Sequence, residues 1–299
     1  MNNHIRNSIF FVLFCFSSYV GSSQMDFATI EEELAFHCDI MVNASEPKHR
    51  AIAMQKFNAQ FMVALEDQTA VGYPFDSLKW ISIKSPEDQS FRLFTWEVDL
   101  GPDDVRYFGA IKTKDNRLFV FQDNFKNTEG GLKNEEFGAD AWIGSLYYHL
   151  MEVNSTEGKY YLVFGINRWN AYENIKLVDV LFFTKEGIPY FGKPVFKAIK
   201  QGEKDEVSNR LLYKYASDGY MTLNYNPGME LIVVDNLVRR MSRIPGQGET
   251  MVSDGSYIGY ELKEGLWYKI DKIATQIMDE APRPKPILDQ RKGKKIMGN

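Results

Sequence analysis

One stretch of the chain combines residue types that recognise ligands: Asn167-Arg168-Trp169-Asn170-Ala171-Tyr172-Glu173-Asn174, which joins two strongly apolar runs, 160–166 and 177–183. An indole and a phenol present flat apolar faces. A guanidinium, carboxamides and a carboxylate beside them supply directed donors and acceptors, and the combination suits a sugar ring or a peptide. Arg168, Trp169, Asn170 and Tyr172 are therefore the candidate ligand-binding residues. The same aromatics have a structural use as well, folding back over a sheet edge.

Other chemistries find less support. His4 lies in a segment that reads as an export signal, and of His37, His49 and His149 no two stand at a metal-ligand spacing such as His-x-x-x-His. His149 falls within an apolar run, 142–153, where a general base or a hydrogen-bonded strand histidine would both fit. His37 and Cys38 are adjacent, and adjacent helical positions point about 100° apart, so local geometry does not join them. The chain has no Gly-x-Ser-x-Gly elbow and no glycine-rich phosphate loop. Asp99, Asp103 and Asp104 lack the ordered spacing of a calcium loop and read as a solvated turn. No metal and no cofactor is expected. A glycoside hydrolase needs only two facing carboxylates, which leave no linear signature; Asp123, Glu135, Glu136, Asp140 and Glu173 are the candidates for one.

The elements that position these residues differ along the chain. Between residues 27 and 65 the apolar spacing is helical, with Phe27, Ile30, Leu34, Cys38 and Met41 on one face and Met54, Phe57, Phe61 and Leu65 on another. This predicts two short helices, the second capped by Ser45 with Pro47 in its first turn. From residue 80 to 273, short runs of β-branched and aromatic residues alternate with turn residues, which is the strand pattern. Asp115-Asn116, Glu186-Gly187, Asp218-Gly219, Asp254-Gly255 and Glu264-Gly265 read as tight hairpin turns, because Asn and Gly reach positive φ. Residues 201–207 and 243–249 read as longer loops. The expected fold is mainly β, an antiparallel sandwich or partly closed barrel of hairpins with an N-terminal helical pair.

Ser90-Phe91-Arg92-Leu93-Phe94-Thr95-Trp96, Trp142-Ile143-Gly144-Ser145-Leu146-Tyr147-Tyr148, Tyr160-Tyr161-Leu162-Val163-Phe164-Gly165 and Gly187-Ile188-Pro189-Tyr190-Phe191-Gly192 together resemble an uncharacterised family of exported, strand-rich bacterial proteins. The resemblance covers most of residues 80–270. It implies an extracytoplasmic protein and brings no activity or site residue with it.

Residues 1–23 match a secretory signal: Arg6, the apolar run 9–16, then Gly21 and Ser23 before a cut at Gln24. The run is shorter than the roughly 20 apolar residues of a membrane span. Cleavage leaves Cys38 as the single cysteine, so no internal disulfide can form and stability must come from the core. The division expected is a signal at 1–23, a helical segment at 24–76, a β domain at 77–281 and a flexible basic tail at 282–299. That tail carries six basic residues against Asp289, and Pro282, Pro284 and Pro286 keep it extended. Anionic surfaces are the expected contact of the tail. The rest of the mature chain is acidic, which argues against nucleic acid as a partner. The leading expectation is an exported, periplasmic or secreted, non-catalytic binding or assembly protein of the cell envelope, for a glycan or peptide. Its alternative is a carboxylate-dependent hydrolase of envelope or external glycans.

Overall fold

The computed structural model describes residues 25–125, 132–156, 158–199, 205–271 and 273. The signal-like segment 1–23 and the proline-rich tail 282–299 lie outside them. Asp26 caps the first helix, α1 (Phe27–Asn43), by accepting from the Thr29 amide at 3.4 Å, and it also accepts from the Thr29 hydroxyl at 2.7 Å. The second, α2 (Pro47–Glu66), takes Glu46 rather than Ser45 as its N-cap. Pro47 decides this: a residue preceding proline is pushed out of the helical region, and Glu46 sits there at φ −87 and ψ 124. The carbonyls of Ala44 and Ser45 accept instead from the Arg50 guanidinium at 2.9 and 3.3 Å.

Three sheets follow, stacked so that the molecule has four layers, with no closed barrel. Sheet one is β1 (Ser82–Lys84), β2 (Phe91–Asp99), β3 (Val105–Thr113) and β4 (Leu118–Val120) in that order. Sheet two is formed by β5 (Phe137–Gly138), β6 (Leu146–Ser155), β7 (Gly158–Asn167), β8 (Glu173–Phe183) and β9 (Pro189–Phe191), ordered β5-β9-β8-β7-β6. Sheet three is formed by β10 (Phe196–Ala198), β11 (Glu206–Ser208), β13 (Leu223–Asn226), β14 (Leu231–Met241), β15 (Glu249–Lys263) and β16 (Leu266–Ile270), ordered β11-β10-β16-β15-β14-β13. A remaining strand, β12 (Leu211–Ala216), pairs with the first half of β8.

Strand alternation explains the layering. In β2 the even residues Phe94, Trp96 and Val98 pack against the helices, while Phe91 and Leu93 face sheet two. In β7 the even residues Tyr160, Leu162 and Phe164 face sheet three and Tyr161 and Val163 face sheet one. Both middle sheets are thus buried on two faces, which is why their strands read as nearly unbroken apolar runs. Polar links stitch sheet one to sheet two: Thr95 Oγ1 accepts from the Tyr147 amide at 3.0 Å, and the Ser82 hydroxyl donates to the Tyr147 carbonyl.

The structure corrects several sequence expectations. Asp254-Gly255 is no hairpin turn but a bulge inside β15, where the pairing jumps from Asp235–Tyr257 to Leu237–Ser253 and Gly255 takes φ +84. Asp218-Gly219 carries the chain from sheet two to sheet three instead of joining paired neighbours. The expected loop 243–249 is present but set back by one residue, at 242–248, because β14 runs on to Met241 and pairs there with Glu249. Of the expected loop 201–207, Glu206 and Val207 enter the edge strand β11. One pair, β10 with β16, is parallel. Among the described residues no helix is long and apolar enough to cross a membrane.

Candidate functional site

Because β2 alternates, its odd residues reach the sheet-two side all along its length, and they turn polar at one end: after Phe91, Leu93 and Thr95 come Glu97 and Asp99. Tyr107 stands directly opposite Glu97 on β3. This polar end of the interface meets the loop joining β7 to β8, the ligand-like stretch of the sequence. Arg168 reaches down to it, with Nη2 at 3.0 Å from Glu97 Oε1 and Nη1 at 3.7 Å from Asp99 Oδ2. The Arg168 amide donates to the Tyr107 hydroxyl at 2.6 Å.

The loop is fixed by its own backbone. Asn170 Oδ1 accepts from the amides of Tyr172 and Glu173 at 2.8 Å each, an Asx turn that closes the connection. Ala171 donates its amide to Asp103 Oδ1 at 3.2 Å, and Ser217 grips the far side through Tyr172 and Ala171 carbonyls at 2.8 and 2.9 Å. Gln247 adds a bond from its carboxamide to the Tyr172 carbonyl at 3.0 Å. Between this loop, the β2–β3 turn and the start of α2 lies a cleft of about 580 Å³, lined by Arg168, Asn170, Asn174, Ser217, Asp99 and Arg50.

Burial sets the electrostatics. Removal from water pushes the Glu97 carboxyl above its ordinary range, while Arg168 and the Tyr107 hydroxyl pull it back. Tyr107 is raised in turn, by burial first and by the neighbouring Glu97 charge second. Glu97 Oε2 is buried without a hydrogen-bond partner among the described residues. The arrangement holds a half-exposed guanidinium in one orientation at the cleft floor, with carboxamides and a hydroxyl around it.

Of the four sequence candidates, Arg168 and Asn170 line the cleft. Trp169 turns away: its ring meets Phe125 edge-on at 4.7 Å, packs against the small cluster of Phe137, Ile143 and Ile175, and has Lys214 Nζ 4.8 Å from its centroid. Tyr172 is 47% exposed beside the cleft without lining it. The partners that sequence reasoning missed are Glu97, Asp99 and Tyr107; the one trace they leave is the run of odd residues that turns from apolar to acidic.

The remaining candidates are scattered. Asp123 is held by the amides of Phe125 and Gly144 at 3.0 and 3.1 Å, Glu135, Glu136 and Asp140 are exposed, and Glu173 begins β8. Asp104 pairs with Arg106 at 3.0 Å. Cys38 is buried in the helical core with its thiol pushed up to about 12, whereas His37 lines a groove on the outer face of the helices with His49. His149 lies on β6 at a bulge, its ring 5.2 Å from Phe164, and burial together with Lys84 lowers its pKa. Among the described residues no three His, Cys, Asp or Glu side chains gather as a metal site. No family model matches the chain, and none of the curated proteins or solved structures compared with it is similar to it.

Proposed function

We propose that the protein is an exported, non-catalytic binding or assembly domain of the cell envelope, and that the cleft over Glu97 and Asp99 takes a glycan or peptide. The observation that carries this reading is the held guanidinium. Arg168 is 50% exposed yet anchored by two carboxylates, so it meets a ligand with little further loss of side-chain freedom. With its charge already offset, it suits hydroxyl and amide acceptors better than a further carboxylate. Asn170, Asn174 and Ser217 add the mixed donors and acceptors that sugar hydroxyls and peptide groups need. The export part of the reading rests on residues 1–23, and the basic-tail contact on residues 282–299.

The test is binding of the mature protein to panels of neutral glycans and peptides, beside Arg168→Ala. Loss of roughly tenfold or more in affinity in the variant is expected, the scale of an interface arginine that matters. Absence of any bound ligand, or equal binding by the variant, overturns the assignment of this cleft. A carboxylate-dependent hydrolase is the second reading, favoured by one observation: Glu97 is a partly buried carboxyl with one oxygen shut off from water and a raised pKa, the property of a general acid. Release of new reducing ends from the same glycans, lost in Glu97→Gln, would establish it and remove the non-catalytic part of the proposal.

A further inference from the structure

A second cleft, of about 780 Å³, lies away from the Arg168 loop. Its walls are the segment between the helices and β1, the strand β1 itself, the start of β2 and the β3–β4 turn. These separate elements each contribute a cation: Lys79, Lys84 and Lys114 line it, with Arg92 at its base and Asp76 as the one acidic lining residue. The three lysines form no ion pair with any described residue.

Arg92 deepens the charge. It is buried, and its guanidinium donates to backbone carbonyls, at 3.2 Å to Ala70 and 3.0 Å to Pro74 and also to Tyr73, with the rings of Phe75 and Phe94 on its faces. Carbonyls satisfy its donors without neutralising it. The carboxylate that acts on Arg92 is Asp76, through its field and without an ion pair among the described residues, and the buried Glu31 of α1 is occupied by the Tyr73 hydroxyl and the Ser77 amide, both at 2.6 Å. Two lining residues, Phe75 and Gln89, hold the backbone at φ +57 and +51, a conformation that side chains disfavour and that collects at functional positions.

We propose that this cleft binds an acidic polysaccharide, a sugar chain carrying carboxylate or sulfate groups at intervals. Lysines spread over three separate elements match charges repeated along a chain better than one small anion. A concave wall fits a chain rather than a flat lipid surface. An acidic body around a basic cleft keeps other polyanions from binding indiscriminately.

The mature protein is titrated calorimetrically with polygalacturonate, dextran sulfate, neutral dextran and inorganic phosphate at low and at high salt. Binding to an acidic polymer that weakens with salt, and none to neutral dextran, is the expected result. The triple variant Lys79→Gln, Lys84→Gln, Lys114→Gln should lose at least tenfold in affinity, whereas Asp76→Asn should gain two- to fivefold, an increase that misfolding cannot produce. A chain ending at Ala281 should bind as the full chain does, which separates the cleft from the basic tail, and Arg168→Ala should leave this binding unchanged. Equal binding by the triple variant, loss of binding on removal of the tail, or phosphate binding as tight as the polymer would each overturn the proposal.

Discussion

Two arginines near the same strand have opposite fates. Arg210, just before β12, is wholly buried against Asp179 of β8, with Nε 3.1 Å from Oδ1 and both side chains at 0% exposure. Its Nη1 also donates to the carbonyls of Leu132 and Glu135, and its guanidinium lies 4.9 Å from the Phe137 centroid. Arg168, just before β8, meets Glu97 and Asp99 but stays half in water over a cleft. In sequence both are single arginines at the ends of apolar runs. The difference lies in what closes over them: the segment 132–135 and Gly192 cover Arg210, and nothing among the described residues covers Arg168. Gly192 is part of that closure, since at φ +98 a side chain there would meet Arg210 Nη2 at 2.2 Å and the Glu135 carbonyl at 2.5 Å. A buried pair is costly to break and is sealed from any ligand, Arg210 Nη2 staying buried without a hydrogen-bond partner among the described residues, whereas a half-exposed pair is cheap to break and can bind.

The comparison is tested hardest at Arg210. Arg210→Ala leaves Asp179 as a buried, unpaired charge and should cost about 3–5 kcal/mol of unfolding free energy, read by urea denaturation. Asp179→Ala should cost about as much, and the double variant should cost less than the sum of the two. Additive losses would show that the two residues do not act as a pair.

Trp169 should fall in between. Its ring covers Phe125 and the small cluster behind the loop, so Trp169→Ala should cost about 2 kcal/mol, below the range for a fully buried aromatic because one face carries only the Lys214 ammonium. A loss within about 0.5 kcal/mol, the usual surface value, would mean that the indole is free for a ligand after all.

What the sequence made legible follows the range of the interactions involved. Turns at Asp115-Asn116, Glu186-Gly187 and Glu264-Gly265 do join paired strands, because local φ requirements and local pairing coincide there. Asp218-Gly219 and Asp254-Gly255 obey the same turn chemistry and do something else, since a bulge and a step between sheets ask the same of a glycine as a hairpin does. Strands such as β1, β5, β9, β10 and β11 are two or three residues long and exist only because a neighbour pairs with them, so no periodicity announces them. At the site, Arg168 and Asn170 stand out as polar residues between apolar runs. Glu97, Asp99 and Tyr107 do not, because their role depends on sheet one stacking on sheet two, a long-range contact between residues some 70 positions apart.

The smallest effect expected is the one at Arg168, and its pH dependence identifies its origin. Replacing it with Met keeps most of the aliphatic stem and removes the charge. Exposure screens the ion pair, so at neutral pH the loss should be no more than about 1 kcal/mol. Glu97 sets the sign. Its folded pKa lies above the ordinary range because of burial, and Arg168 holds it down; without the cation the carboxyl should rise further. A group whose folded pKa is raised binds its proton more tightly when folded, so its burden is absent below the unfolded value of about 4.3 and appears as the pH climbs through the folded value. Stability of Arg168→Met should therefore match the wild type near pH 3.5 and fall behind as the pH rises toward 7, with most of the divergence above the ordinary glutamate range. Urea unfolding of both proteins across that interval measures it. A difference of the same size at every pH would mean that Arg168 contributes through packing rather than through its charge, and would remove the electrostatic contrast with Arg210.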